Sequence, residues 1–594
     1  MTYQNTLPNR VPDSFSRQRT LRHVFELQRM AKTSSHVSEK EKGTFLYSTF
    51  DALFSADTRR ADIQTRLFTK KPYTRYMINA LVNISLTLYF EGSMLLTAPI
   101  SFLCVMTIFP GLIVFLLLIG VCLKIFMENM GGKELGRTMS ERYGKGSVSY
   151  LLSKETADTV LATLPILGKP AEPLSAASSR HRTFDMAIAE TAAALSALIY
   201  ERNSDKIQEA FEVCKKALEA NEVIDPTDDI VTPTEKKMKQ LLWESEVGVR
   251  SVAEKWGLSF TGISELKSVG GPFCGMFWSD TEPFIVIAFK GTTVTNYREF
   301  LVDATLQRTD ARPFIFGSTH QGFYESVFPT SGSEDQGDPY SAILAAIHSK
   351  AKTLQQNLQI TTPIQVWITG HSLGAAMSSL LFARFLKCPE DLPATLCTLR
   401  DCYVIGAPAV GDSEFASNFA SFSNNPVSRS STLWRIINQT DIVCRLPPGY
   451  NSRTIGHFSS KSDFFNYCHV GIGIKLESED SKTPVSIHPS SYQPAMQVTI
   501  DTKNCLPLPG LPRECQSVNT TEPVLDPFDG LPPWMMTILE YPYIKKMLIS
   551  WLAKYDHNPL RAVESLYPVF LKDHIPYHYH EGLERAKAYY TTKV

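Results

Sequence analysis

The sequence predicts an α/β fold, a mostly parallel central sheet covered by helices, with an N-terminal membrane-associated helical segment ahead of it. Three observations predict this. Short, β-branched strand-like runs alternate with helical runs from about residue 183 onward. The strand-like runs are apolar nearly throughout, as strands sandwiched between two helical layers are. Upstream, no charged residue occurs between Glu91 and Lys124, a stretch long enough to enter a bilayer.

Bulk properties narrow the classes before any motif is read. The 594 residues carry a net charge of -1, are 43% hydrophobic and 20% charged, and so fold without the positive excess that a nucleic-acid partner requires. The 11 cysteines follow no regular spacing, and most read as reduced, buried residues. Cys505 and Cys515 bracket a Pro-rich loop and are the pair that an oxidising compartment would join. The absence of CxxC and HExxH patterns points away from zinc, and no metal or cofactor is expected.

Taken in order, residues 1–71 read as a polar, partly disordered tail, Arg-rich and without the apolar core of a cleavable signal, so simple secretion is not expected. Residues 72–130 read as the membrane segment. It is either one crossing helix kinked at Pro110-Gly111 or a hairpin with legs Tyr76–Phe90 and Ser101–Phe126; basic residues at both ends favour the hairpin. Residues 131–182 form a connecting region that ends in a Pro/Ser/Ala-rich linker, Gly168–Arg182. The globular domain then spans 183–594, with an insertion around 478–560. Its first helices are MAIAETAAALSALIYER and IQEAFEVCKKALEA, both with helical spacing of apolar residues. Strands follow at Phe284–Phe289, Ile364–Gly370, Asp401–Pro408 and Ser431–Asn438, and a helix follows the second of them. No solenoid period is present.

The chemistry concentrates at Gly370-His371-Ser372-Leu373-Gly374, between a strand and a helix. A bare GxSxG is a weak signal, and a serine there also suits a plain helix N-cap. Its setting at a strand-to-helix turn is the stronger signal. Flanking glycines let the backbones approach, the serine hydroxyl is thrust outward, and the Leu373 N–H at the helix start faces a developing oxyanion. Asp441, after a buried strand and before a Pro-rich turn, sits where a carboxylate is held at a strand's C-terminal edge. The alternative for Asp441 is an ordinary turn residue.

Several further stretches stand in a meaningful order: VIAFKGTT (286–293), THQGFYESV (319–327), ITGHSLGAAMSSL (368–380), YVIGAPAVGD (403–412), RIINQTDIVCRLPP (435–448), YCHVG (467–471) and KDHIPYH (572–578). Together they resemble the fungal-type class 3 lipases, an α/β-hydrolase family that includes the diacylglycerol lipases. The resemblance covers roughly residues 250 to 475 and the extreme C-terminus.

It implies Ser372 as nucleophile, Asp441 as orienting acid, and Thr292 with Leu373 as oxyanion donors. It also implies a lid after Thr293 that carries Tyr297, Phe300 and Leu301. The base implied is His574, behind Asp573, with His469, His578 and His580 as the other candidates. His371 points away from a base's position, and His320 belongs to a motif of structural character. The expected activity is a membrane-associated lipid ester hydrolase (triacylglycerol/diacylglycerol lipase-like). It would act on a lipid ester at a membrane or lipid-droplet surface inside the cell, the endoplasmic reticulum or a droplet being favoured. A phospholipase, a general carboxylesterase and a catalytically silent membrane scaffold are the alternatives, and oligomeric state is left open.

Overall fold

The computed structural model describes residues 16–40, 150–170, 181–222, 231–266, 271–291, 308–328, 338–423, 431–447, 467–489, 497–506, 541–553 and 569–592, with a few isolated positions besides. At its centre lie eight hydrogen-bonded strands. In spatial order these are β11 (Val485–Pro489), β10 (Ile472–Leu476), β9 (Leu433–Asn438), β8 (Cys397–Ile405), β7 (Ile364–His371), β4 (Phe284–Lys290), β3 (Phe273–Trp278) and β2 (Ser259–Ser264). The five strands from β10 to β4 run parallel to one another, while β3 and β11 pair antiparallel with their inner neighbours.

Strand alternation explains why this sheet carries two helical layers. On β4, Ile285, Ile287 and Phe289 join one core and Phe284, Val286 and Ala288 join the other. Each residue points opposite to its neighbour, so a strand that is apolar at every position needs cover on both faces. One layer contains α6 (Gln321–Val327), α7 (Pro339–Leu358), α8 (Leu373–Lys387) and α9 (Ser413–Ser423); the other contains α2 (Lys154–Leu167), α3 (Met186–Leu198) and α12 (Pro576–Thr592). Parallel strands need crossovers, and α8 supplies the one from β7 to β8.

The strands expected around 284, 364 and 431 occur nearly as read. The strand expected at Asp401–Pro408 starts and ends earlier, as β8 (Cys397–Ile405), and it stops there because Gly406 turns away with a positive φ of 62°. Two boundaries also move. The expected linker closes before His181, where β1 (His181–Asp185) begins and pairs in parallel with β12 (Gln497–Asp501). The connecting region contributes to the core as well: Val160, Leu164 and Leu167 of α2 are buried, and the Leu167 carbonyl accepts a hydrogen bond from the Trp367 indole at 3.0 Å. In the expected insertion, β11 extends the main sheet and β12 meets β1, so part of it is integral to the fold. Cys505 is a free thiol, whereas Cys515 lies outside the described residues.

The N-terminal tail needs the largest revision. Residues Arg17–Lys40 form helix α1, which packs on α4 (Ser204–Glu219) and α5 (Pro233–Lys255). Leu21, Val24 and Leu27 recur at helical spacing and are buried with Ile207, Leu241 and Leu242. Dense polar residues between these anchors hid the stripe, and those residues have buried partners. Arg19 pairs with Glu246, and Arg17 reaches Glu235 at 2.9 Å. Glu26 accepts from the Ser264 hydroxyl at 2.7 Å and the Glu265 N–H at 2.9 Å. Burial, then the nearby Glu265 carboxylate, pushes Glu26 up to about 7.

The expected membrane segment, residues 72–130, lies outside the described residues except for a few isolated helical positions. Among the described residues no helix is long and apolar enough to cross a membrane.

Docking of α1 through its apolar stripe has a measurable consequence. Leu27→Ala removes a fully buried side chain and is expected to lower the unfolding free energy by about 2–4 kcal/mol. Phe25→Ala, at a 42% exposed position on the same helix, is expected to stay within about 0.5 kcal/mol. Urea unfolding of the two variants checks the contrast.

Candidate active site

Three chain segments meet at the C-terminal ends of the parallel strands. Ser372 lies at the turn from β7 into α8 with φ 59° and ψ -127°, a conformation that a residue bearing a Cβ adopts only where its surroundings impose it. Its N–H donates to the Ile405 carbonyl at 2.9 Å, and its carbonyl accepts from Ala375 and Ala376 at the start of α8. The hydroxyl caps nothing on that helix, which removes the plain N-cap reading. Gly374 is required by space: a Cβ there would strike the Phe289 carbonyl of the neighbouring strand. The Leu373 N–H opens the helix, where amide hydrogens have no intrahelical acceptor.

His574 stands in the turn between the short helix Val569–Lys572 and α12. Its Nε2 lies 2.8 Å from the Ser372 Oγ, and its Nδ1 lies 2.8 Å from the Asp441 Oδ2. Asp441 follows β9 by a tight turn and is fully buried. Its carboxylate accepts from the Val443 N–H at 2.8 Å, the Tyr579 hydroxyl at 2.5 Å and the Cys444 thiol at 3.4 Å. Burial alone would push Asp441 up; the adjacent His574 imidazole and the hydrogen bonds from His574, Tyr579 and Val443 outweigh it and hold the carboxyl below its ordinary value. The acid is therefore anionic at neutral pH.

The turn that bears His574 is anchored at Asp573 and at the His574 carbonyl. Asp573 accepts from the Thr440 N–H at 2.9 Å and from the Thr440 hydroxyl, and its own carbonyl accepts from the Asn438 amide at 3.0 Å. These bonds join the histidine turn to the aspartate turn. On the other side, His371 Nε2 lies 2.8 Å from the His574 carbonyl, and His371 Nδ1 lies 3.1 Å from the Tyr200 hydroxyl. Burial, followed by the nearby His574, lowers the His371 pKa to about 3, so the ring is neutral. A neutral ring donates through Nε2 to the carbonyl and accepts the Tyr200 proton at Nδ1, which uses both nitrogens. Gly406 completes the fit. With a Cβ, it would press on the His574 ring at 3.0 Å.

Of the four histidines weighed from the sequence, His574 is the one that the structure brings to Ser372. His469 is half-buried, and loss of solvent followed by the nearby Arg435 lowers its pKa to about 3. His578 pairs with Glu581 at 2.8 Å, and His580 stacks on Tyr150 with ring centroids 4.3 Å apart. His320 caps α6 and stacks on Phe323, in keeping with a structural motif. Thr292, Tyr297, Phe300 and Leu301 lie outside the described residues. Sequence reading missed Tyr200, Tyr579 and the bracing use of His371. Tyr579 follows His574 by five residues and carries no motif signal, and Tyr200 sits 171 residues from its partner.

Residues 286–451 match the family model for lipase (class 3). This part of the chain is similar to the class 3 lipases. Among curated proteins, the Rhizomucor miehei lipase is 28% identical over 169 residues, 28% of this chain and 39% of that protein. The Rhizopus niveus lipase is 22% identical over 228 residues, 38% of this chain and 45% of that protein. The chain thus spans less than half the length of these curated relatives. Among solved structures, the native Rhizomucor miehei lipase propeptide complex shares 19% identity at a TM-score of 0.27, over 49% of this chain and 72% of that one. The lipase from Rhizopus microsporus var. chinensis shares 18% at a TM-score of 0.27, over 55% and 84%. Ser372 and Asp441 fall inside the matched class 3 lipase segment; Tyr200 and His574 fall outside it.

The neutral His371 makes a pH prediction. Its folded pKa of about 3 lies below the ordinary 6.5, so its contribution to stability is complete above pH 6.5 and is lost as pH falls toward 3. The stability advantage of the wild-type chain over His371→Gln is therefore expected to shrink as pH is lowered from neutral to about 5. Paired urea unfolding curves across that range measure it; an advantage that grows toward acid would contradict the neutral assignment.

Proposed function

We propose that the chain is a serine hydrolase of lipid esters, of the triacylglycerol or diacylglycerol lipase kind, working through Ser372, His574 and Asp441. The observation that carries this reading is the pair of 2.8 Å contacts that run from the Ser372 hydroxyl through His574 to Asp441. The class 3 lipase match over residues 286–451 supports the ester substrate.

The chemistry follows from the geometry. His574 Nε2 takes the Ser372 proton as the oxygen attacks the ester carbonyl; Asp441 fixes the tautomer through Nδ1–H and stabilises the imidazolium that forms. The tetrahedral oxyanion faces the Leu373 N–H, and Thr292 is assigned as the second donor on the strength of the family resemblance. Losing one such donor costs about 3 kcal/mol of barrier. His574 then returns the proton to the departing alcohol, leaving an acyl group on Ser372. Water, deprotonated by the same imidazole, releases the acid. No step calls for a group beyond the chain and water.

Ser372 is only 4% exposed. Burial of the reacting hydroxyl supports a covering lid, assigned to the stretch with Tyr297, Phe300 and Leu301, that swings aside at a lipid surface. The uncharged run between Glu91 and Lys124 supports membrane attachment through residues 72–130, with the site working at an intracellular membrane or droplet surface. The connected Ser–His–Asp arrangement favours hydrolysis over a silent scaffold. Phospholipase and carboxylesterase readings share the same machinery and differ in the substrate accepted.

A fluorophosphonate probe is expected to label the full-length chain, and Ser372→Ala to abolish the label; labelling that survives the substitution would end this reading. Asp441→Asn is expected to reduce ester turnover by about 10⁴, through loss of the correct tautomer. Tyr579→Phe removes one charge-assisted hydrogen bond of roughly 1.5–3 kcal/mol and is expected to lower turnover about ten- to a hundredfold with little change in KM. Steady-state kinetics on a soluble p-nitrophenyl ester separates the two effects.

A further inference from the structure

Tyr200 stands where segments of the site meet. It lies in the turn Ile199–Glu201 that follows α3, with its ring buried. Its hydroxyl lies 3.1 Å from the His371 Nδ1 and 3.4 Å from the His371 carbonyl, and its oxygen accepts the Gly291 N–H. Gly291 follows β4 directly and precedes Thr292 in the chain. The approach is so close that it requires a glycine: a Cβ at Gly291 would lie 2.7 Å from the Tyr200 hydroxyl and 2.7 Å from the His371 carbonyl.

A phenylalanine would fill the same space; the hydroxyl alone links these segments. Burial pushes the phenol well above its ordinary pKa, so it keeps its single proton. The Gly291 N–H occupies a lone pair. The His574 carbonyl can only accept, which puts the His371 proton on Nε2 and leaves Nδ1 as an acceptor. The phenol proton therefore points to Nδ1. Without it the Nδ1–H tautomer of His371 becomes accessible, and that tautomer offers the His574 carbonyl no donor.

The phenol is held from both sides in sequence. Upstream, α3 is buried along its length, and the Thr369 hydroxyl of β7 donates to its Ala192 carbonyl at 3.1 Å. Downstream, Arg202 meets Glu265 at 2.8 and 2.5 Å, and the Asn203 N–H donates to the Ser245 carbonyl at 2.8 Å.

We propose that Tyr200 is a positioning residue whose hydroxyl joins the oxyanion side of the site to the base side. It holds the end of β4 through Gly291 and, through the His371 tautomer, the turn that presents His574 to Ser372. The proposal rests on the serine hydrolase reading and deepens it. Both arms serve the tetrahedral intermediate more than substrate binding. Gly291 leads into the residue assigned as second oxyanion donor, and His574 moves the proton. Loss of the hydroxyl therefore weakens the transition state and spares the ground state.

Tyr200→Phe in the full-length chain tests it, with kcat on a soluble p-nitrophenyl ester counted per site titrated by a fluorophosphonate. The expected kcat is lower by about ten- to a hundredfold, with KM within about twofold of wild type. The Ki of a trifluoromethyl ketone, which adds to the serine as a tetrahedral oxyanion, is expected to rise by the factor by which kcat/KM falls. A Phe variant with wild-type kcat overturns the inference and leaves the hydrolase reading standing. A loss that comes entirely from fewer titratable sites does the same. A wild-type chain that no fluorophosphonate labels overturns both. Nitrogen-15 spectra of the histidine-labelled Ser372→Ala chain, with the His371 signals assigned by their loss on adding His371→Gln, read the tautomer without a change at Tyr200. Nε2–H is expected, and Nδ1–H overturns the inference.

Discussion

A histidine brought from 202 residues away has to hold its ring between a serine and a buried carboxylate, each at 2.8 Å. Everything else at the strand ends follows from that requirement. The imidazole is oriented by Asp441, but the position of its backbone is set by neighbours. Asp573 and Asn438 tie the turn to the end of β9, and His371 holds the His574 carbonyl from the end of β7. In the proposed reaction, a turn fixed at several points would lose less freedom and leave more of its interaction energy for the transition state.

The sheet explains why these points lie together. Parallel strands all finish at one edge, and the turns after β7, β8 and β9 carry Ser372, Gly406 and Asp441 there. The His574 turn packs over this edge because α12 buries Tyr579 and Leu583 in the same core as Trp434 and Ile436 of β9. Tyr579 therefore contributes twice, as packing and as a donor to Asp441. The N-terminal part of the chain takes part through Tyr200. The next residues continue to Arg202, whose guanidinium pairs with Glu265 at 2.5 and 2.8 Å beside α1. A buried pair of this kind is costly to break, since removing one partner leaves the other charge in a low-dielectric interior.

How much of this was legible in the sequence depends on the range over which each feature is determined. The strand at Phe284–Lys290 and the turn at Ser372 were readable because their causes are local: β-branched apolar runs, and glycines that only close packing requires. Helix α1 was not readable as part of the fold, because its stripe of Leu21, Val24 and Leu27 is thin and its many polar residues look solvated until Glu246 and Ser264 are brought beside them. The strand β1 was hidden for a similar reason, since its partner β12 lies more than three hundred residues away. Spacing alone left four histidines in play; the choice follows from which one the packing of α12 carries to the strand ends.

The most direct test is a crystal structure of the chain after reaction with a phosphonate ester. The account predicts phosphorus bonded to the Ser372 Oγ, one phosphoryl oxygen within hydrogen-bond distance of the Leu373 N–H, and His574 still bridging that site to Asp441. Phosphorus on any other residue, or on Ser372 with His574 turned away from it, would contradict the account.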